Sequence, residues 1–127
     1  MTVFLTLEQL LVIHEDQIER YGGSSGIRDL GLIESALFRP QSTFGGEDLY
    51  PSLFEKAAAF MHSILKNHAF VDGNKRTATV STLVFLALNG KEVKVSQKEL
   101  VQFAISVENG KLSLEDISSW LEKNYKR

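Results

Sequence analysis

One ten-residue run, His68-Ala69-Phe70-Val71-Asp72-Gly73-Asn74-Lys75-Arg76-Thr77, gathers the side chains best suited to chemistry in this chain. His68 can take a proton at neutral pH, since an unperturbed imidazole titrates near ~6.5. Asp72 can hold a metal ion, Gly73 can turn the chain, and Lys75 and Arg76 can neutralise phosphate oxygens. The run is followed by an apolar stretch of helical character, so its end coincides with a helix N-terminus. There the first amide N–H groups lack intrahelical partners, and they and the helix dipole favour an anion.

The two cations sharpen this reading. Lys or Arg in the first turn of a helix opposes the dipole, and stability alone favours acids there. A bound polyanion is a natural reason for cations instead. A solvated Asn-Lys-Arg turn fits the same residues, and the spacing is not that of a Walker loop. His68 alone also fits a loop histidine that satisfies backbone groups. Zinc is a poorer match: His14, His62 and His68 are scattered, there is no cysteine, and no His-Glu-x-x-His spacing occurs. Phe70 suits a core plug that fixes the loop.

The elements that must position this run follow from capping and periodicity. Thr6 to Gln9 forms a capping box ahead of a helix carrying Leu7, Leu10, Leu11, His14, Ile18 and Tyr21, closed by a left-handed cap at Gly22-Gly23. Residues 2–5 read as an edge strand or an extended lead-in. Asp29 caps a second helix that stops before Pro40. Residues 40–50 show no sustained period and are expected to form a loop, a length often kept for function. Pro51 suits the first turn of a third helix, which runs to about Asn67. A fourth helix spans Asn74 to Asn89, with Asn74 as its cap; being apolar nearly all round, it is expected to be central and buried. Lys91 to Val95 alternates like a short strand. Ser96 and Ser113 open two further helices, the last carrying Leu114, Ile117, Trp120, Leu121 and Tyr125 on one side. The expected class is all-α and compact, with at most minor short strands.

With 127 residues the chain suits a single domain, residues 1–127, able to bury roughly two thirds of its unfolded surface. A net charge of −2 argues against a dominant nucleic-acid footprint. The absence of cysteine excludes disulfides and thiolate chemistry. The N-terminus lacks a basic region followed by a long apolar stretch, and no run approaches the ~20 residues needed to span a bilayer. A cytoplasmic location is expected.

His-x-Phe-x-Asp-Gly-Asn-Lys-Arg-Thr-Ala resembles the signature of Fic-fold proteins, and specifically the death-on-curing (Doc) branch of toxin–antitoxin toxins. Arg20-Tyr21-Gly22-Gly23, the stretch from Ile27 to Ala36, and Arg39-Pro40 also look like this branch, so the likeness covers essentially the whole chain. The resemblance implies that His68 is the general base and Asp72 the Mg²⁺ ligand. It likewise implies that Gly73 and Asn74 form an anion-hole backbone, and that Lys75 and Arg76 hold phosphate oxygens. Residues 40–50 resemble the segment that lies over the active site, and Arg20 and Lys66 are secondary contacts. Three positions depart from the wider Fic pattern: Ala69 replaces a proline, Lys75 a second glycine, and Thr79 a second arginine. Losing that glycine and arginine is similar to the Doc pattern. It implies a reversed nucleotide that donates the γ-phosphate of Mg-ATP to a Ser or Thr hydroxyl, with elongation factor Tu as the family's known target. AMP transfer to a protein hydroxyl is the first alternative, and a non-catalytic antitoxin-binding or regulatory member the second. A cognate antitoxin, Phd-like or other, is implied as partner; no membrane or direct nucleic-acid partner is.

Overall fold

The computed structural model describes residues 1–126. Six α-helices carry the fold: α1 (Leu7–Tyr21), α2 (Leu30–Phe38), α3 (Leu53–Asn67), α4 (Asn74–Leu88), α5 (Gln97–Glu108) and α6 (Leu114–Lys123). Four two-residue strands accompany them: β1 (Thr43–Phe44), β2 (Glu47–Asp48), β3 (Glu92–Val93) and β4 (Tyr125–Lys126). This is the mostly helical class with minor strands that capping and periodicity predict. No helix among the described residues is long and apolar enough to cross a membrane.

Helix starts are fixed locally. Thr6, Ser52, Ser96 and Ser113 each complete a capping box, and the Asp29 carboxylate accepts from the Leu32 amide at 3.1 Å. Ser52 caps α3, so Pro51 stands just outside that helix rather than in its first turn. Residues 2–5 form no strand; Val3 is tied instead to the Asn89 side chain by two 2.8 Å hydrogen bonds. Gly22 does close α1, its amide donating to the Ile18 carbonyl at 2.8 Å. Its φ of 84° and ψ of 173° are not the left-handed helical geometry expected, because the chain turns away at once toward the motif.

Residues 40–50 are more ordered than an aperiodic loop. Pro40 sits in a 3-10 turn, Arg39–Gln41, that continues α2, and β1 pairs antiparallel with β2 through the register Thr43↔Asp48 and Phe44↔Glu47. Gly45 and Gly46 supply the two positive φ angles (61° and 84°) that a tight hairpin needs. The hairpin is anchored by Lys56, 4% exposed, which donates to Asp48 at 3.1 Å and to the Tyr50 carbonyl. Likewise, β3 finds a partner in β4, which takes Tyr125 out of α6.

The core forms around α3, which packs against α2, α4, α5 and α6. Ala57, Ala58, Ile64 and Leu65 of α3 are fully buried. Against it lies α4, central as expected, with Ala78, Phe85 and Leu86 buried but polar residues buried beside them. Thr77, Thr79, Ser81 and Thr82 point inward, while Leu88 stays 45% exposed. The Thr79 and Thr82 hydroxyls donate at 2.7 Å to carbonyls four residues back, and Ser81 does so to Thr77, which satisfies these three without a cross-helix partner and leaves the Thr77 hydroxyl unpaired among the described residues. Small side chains on both helices let them lie close together, and the turn joining their ends carries the motif.

Candidate active site

The motif occupies the junction between the end of α3 and the start of α4. His68 is the C-cap of α3 in the left-handed region, at φ 48° and ψ 49°, and is the one non-glycine residue with positive φ among those described. That conformation lifts its ring out of the helix, leaving the side chain 51% exposed. Phe70, 1% exposed, plugs the core between His68 and Asp72 as its apolar character predicts.

Segment 22–29 holds the loop backbone in register. The Arg28 guanidinium donates to the His68 carbonyl at 2.7 Å and the Asn67 carbonyl at 2.8 Å, countering the negative end of α3. Arg28 and Asp29 amides both donate to the Ala69 carbonyl, Val71 donates to Gly26, and Ile27 bridges Phe70. From α1, His14 stacks on Phe70 with ring centres 3.9 Å apart, and its Nε2 lies 2.8 Å from the Asp72 carbonyl oxygen. A carbonyl only accepts, so that nitrogen carries the proton.

Asn74 does not cap α4. Gly73 takes the cap position at φ 74°, and the Asn74 side chain folds back to clamp Phe70, accepting from its amide at 3.0 Å and donating to its carbonyl at 2.9 Å. The side chain therefore shapes the loop while leaving the helix end uncapped. Gly73 donates its amide to the Asp72 carboxylate at 2.8 Å. The Asn74, Lys75 and Arg76 amides donate to no group among the described residues, so the mouth of α4 retains open donors.

Asp72 is exposed and accepts a second hydrogen bond, from the Ser24 amide at 3.2 Å. The Ser24 and Gly73 N–H groups, with Arg76 and His14 adding smaller effects, hold its pKa below the ordinary carboxylate range. A glycine is required at position 23, because an added Cβ would meet the Asp72 carboxylate oxygen at 2.7 Å. Because its folded pKa is depressed, Asp72 contributes stability above the unfolded value and loses it as pH falls through the folded value. We expect Asp72→Asn to flatten part of the acid limb of stability against pH, measured by urea unfolding at a series of acidic pH values. Parallel acid limbs for the two proteins would contradict this.

The cations have partners within the chain. Lys75 Nζ lies 3.2 Å from the Glu108 carboxylate, whose other oxygen is 4.0 Å from His68 Nε2. Arg76 donates to the Gly22 carbonyl at 2.8 Å, and its guanidinium lies 5.6 Å from the centre of the Tyr21 ring. Lys66 donates to the Glu108 carbonyl at 2.9 Å, at the edge of the site, whereas Arg20 pairs with Asp16 on the exposed side of α1. Glu108, Arg28 and His14 are the contributors that motif reasoning misses. Two had signals: His14 falls in the apolar stripe of α1, and an acid ending α5 opposes its dipole as Lys75 does at the start of α4. The two misplaced charges answer each other across the site.

Asp72 suits a magnesium ion bound mainly by a ligand's phosphates: it is ionised and exposed, and among the described residues no three His, Cys, Asp or Glu side chains converge. A base, a carboxylate, open amides and two cations within one turn can position a phosphorylated ligand beside a proton acceptor.

A family model described as the Fic/DOC family matches residues 4–86. Toxin Doc of Mycolicibacterium smegmatis is 44% identical over 93 residues, covering 73% of this chain and 69% of that protein. Protein kinase doc of Escherichia phage P1 is 34% identical over 118 residues, covering 93% and 92%. The matched span holds α1 to α4 almost entire, and with them the motif and segment 22–29, though not Glu108 of α5; this chain belongs to the Fic/DOC family.

Proposed function

We propose that this protein is a toxin-like kinase acting as one Fic/Doc domain over residues 1–127. It moves the γ-phosphate of Mg-ATP to a Ser or Thr hydroxyl of a translation factor such as elongation factor Tu, in the cytoplasm, and is held in check by a cognate antitoxin. The similarity to a protein named a kinase and to one named a toxin supports the activity class and the antitoxin. The observation that carries the reading is the open amide end of α4, at the end of the loop that also carries the exposed His68 ring and the ionised Asp72.

In this reading the Asn74 amide and its neighbours, with Lys75 and Arg76, receive the phosphate oxygens. The His68 imidazole accepts the hydroxyl proton as the hydroxyl oxygen bonds to phosphorus, and ADP leaves with the bridging oxygen. Asp72 would hold the magnesium ion, which supplies charge neutralisation when bound. Lys75 must exchange some of its contact with Glu108 for the ligand. Thr79, whose hydroxyl donates to the Lys75 carbonyl at 2.7 Å, offers phosphate no cation, which favours γ-phosphate over AMP transfer.

Mg-ATP at 100 times its dissociation constant is expected to stabilise the fold by about 2.7 kcal/mol, seen as a shifted chemical-unfolding midpoint. No shift at millimolar Mg-ATP would overturn the nucleotide reading and leave a binding module.

A further inference from the structure

A cavity of about 290 Å³ opens beside the motif between α1, α4 and α5, and Lys75 and Arg76 form part of its wall. Its other walls are largely apolar, including Val80 of α4 and Leu100, Val101 and Ala104 of α5. One polar side chain in it stands out. Gln17 of α1 is 6% exposed, its amide nitrogen makes only a 3.5 Å contact with Asp16, and its amide oxygen accepts from no described residue. The amide therefore keeps donor and acceptor capacity for a ligand that enters the cavity.

We propose that this cavity seats the base of the nucleotide, with the Gln17 amide reading the base edge; this rests on the nucleotide reading above. Volume, largely apolar walls and a few polar groups, Gln17, Thr79 and Gln97 among them, suit a small flat ring system. An amide presents a donor and an acceptor side by side, the pattern that pairs with an adenine edge. Distance supports the same arrangement. Leu100 and Ala104 share a face of α5 with Glu108, which lies beside Lys75 and His68. Leu100 precedes Glu108 by two turns, about 12 Å along the axis. An extended triphosphate separates its base from its terminal phosphorus by a comparable span. A base held at Leu100 therefore puts the last phosphate, not the first, beside His68. A larger cavity, about 570 Å³ between the start of α3 and α6, carries Glu55, Glu115 and Glu122 and would repel a triphosphate.

The test compares binding of Mg-ATP and Mg-tripolyphosphate by calorimetry to the wild type, Val101→Phe and Gln17→Leu. Val101 is 45% exposed, so the larger ring can be accommodated without disturbing the core, and circular dichroism checks both folds. Filling the cavity, or removing the amide, is expected to weaken ATP about tenfold while leaving tripolyphosphate nearly unchanged. ATP affinity unchanged in both variants, or ATP and tripolyphosphate weakened in parallel, overturns the base seat. Equal wild-type affinity for both ligands overturns it too, yet leaves the phosphate site standing. Failure of the wild type to bind either ligand overturns the nucleotide reading itself.

Discussion

His68→Ala is expected to lower phosphate transfer by about 10²- to 10⁴-fold, the usual contribution of a general base. Mg-ATP binding should survive, since phosphate affinity in this account comes from the α4 amides, Lys75 and Arg76. The His68 ring is half exposed, so little packing is lost with it. Its left-handed backbone does add a confounding cost, because alanine tolerates φ of 48° less well than histidine. His68→Asn controls for this, as asparagine adopts that region readily. Both variants should lose transfer equally, measured as initial rates with labelled ATP. Full activity in His68→Asn would place the proton acceptor elsewhere.

Phe70→Ala carries the largest structural effect, a loss of about 3–5 kcal/mol for a fully buried aromatic. Phe70 does more than fill space: it stacks on His14, bridges Ile27, and has both backbone groups clamped by Asn74. The loop between His68 and Asp72 is thus held by the core on one side and by segment 22–29 on the other. Phe70→Leu should retain much of the stability, because it keeps most of the apolar volume. Guanidinium unfolding with an unchanged slope measures the difference. A loss below about 1 kcal/mol in Phe70→Ala would mean that the motif loop does not depend on this plug.

Helix order and class were legible because caps and periods are local. Thr6, Asp29, Ser96 and Ser113 stand where their own backbones need acceptors, and the structure uses each of them. What was not legible depends on contacts distant in sequence. The Gly45-Gly46 pair carried a hairpin signal, but β1 and β2 are too short to show alternation. Nothing local tells that β3 pairs with β4, or that α4 buries three threonines and a serine alongside its apolar residues.

The site divides in the same way. His68, Asp72, Gly73, Asn74, Lys75 and Arg76 lie together because they are neighbours in the chain. Asn74, however, acts through its side chain on Phe70 rather than as a helix cap, and Gly73's amide is turned to Asp72. Arg28, His14 and Glu108 come from three other segments, and only the fold brings them to the motif. Glu108 changes the meaning of the cations as well. Lys75 in a helix first turn had suggested an anionic ligand, and part of that demand is met inside the chain at 3.2 Å. The demand that remains is at the open amides of α4.

Transfer of label from ATP tests the central claim most directly. Purified protein is incubated with magnesium, elongation factor Tu, and ATP labelled in parallel reactions at the γ or the α phosphorus. The account predicts that γ label alone becomes attached to the acceptor protein, and that His68→Asn abolishes it. Attachment of α label would establish AMP transfer and reverse the nucleotide in the site, contradicting both the kinase reading and the base seat beside Gln17.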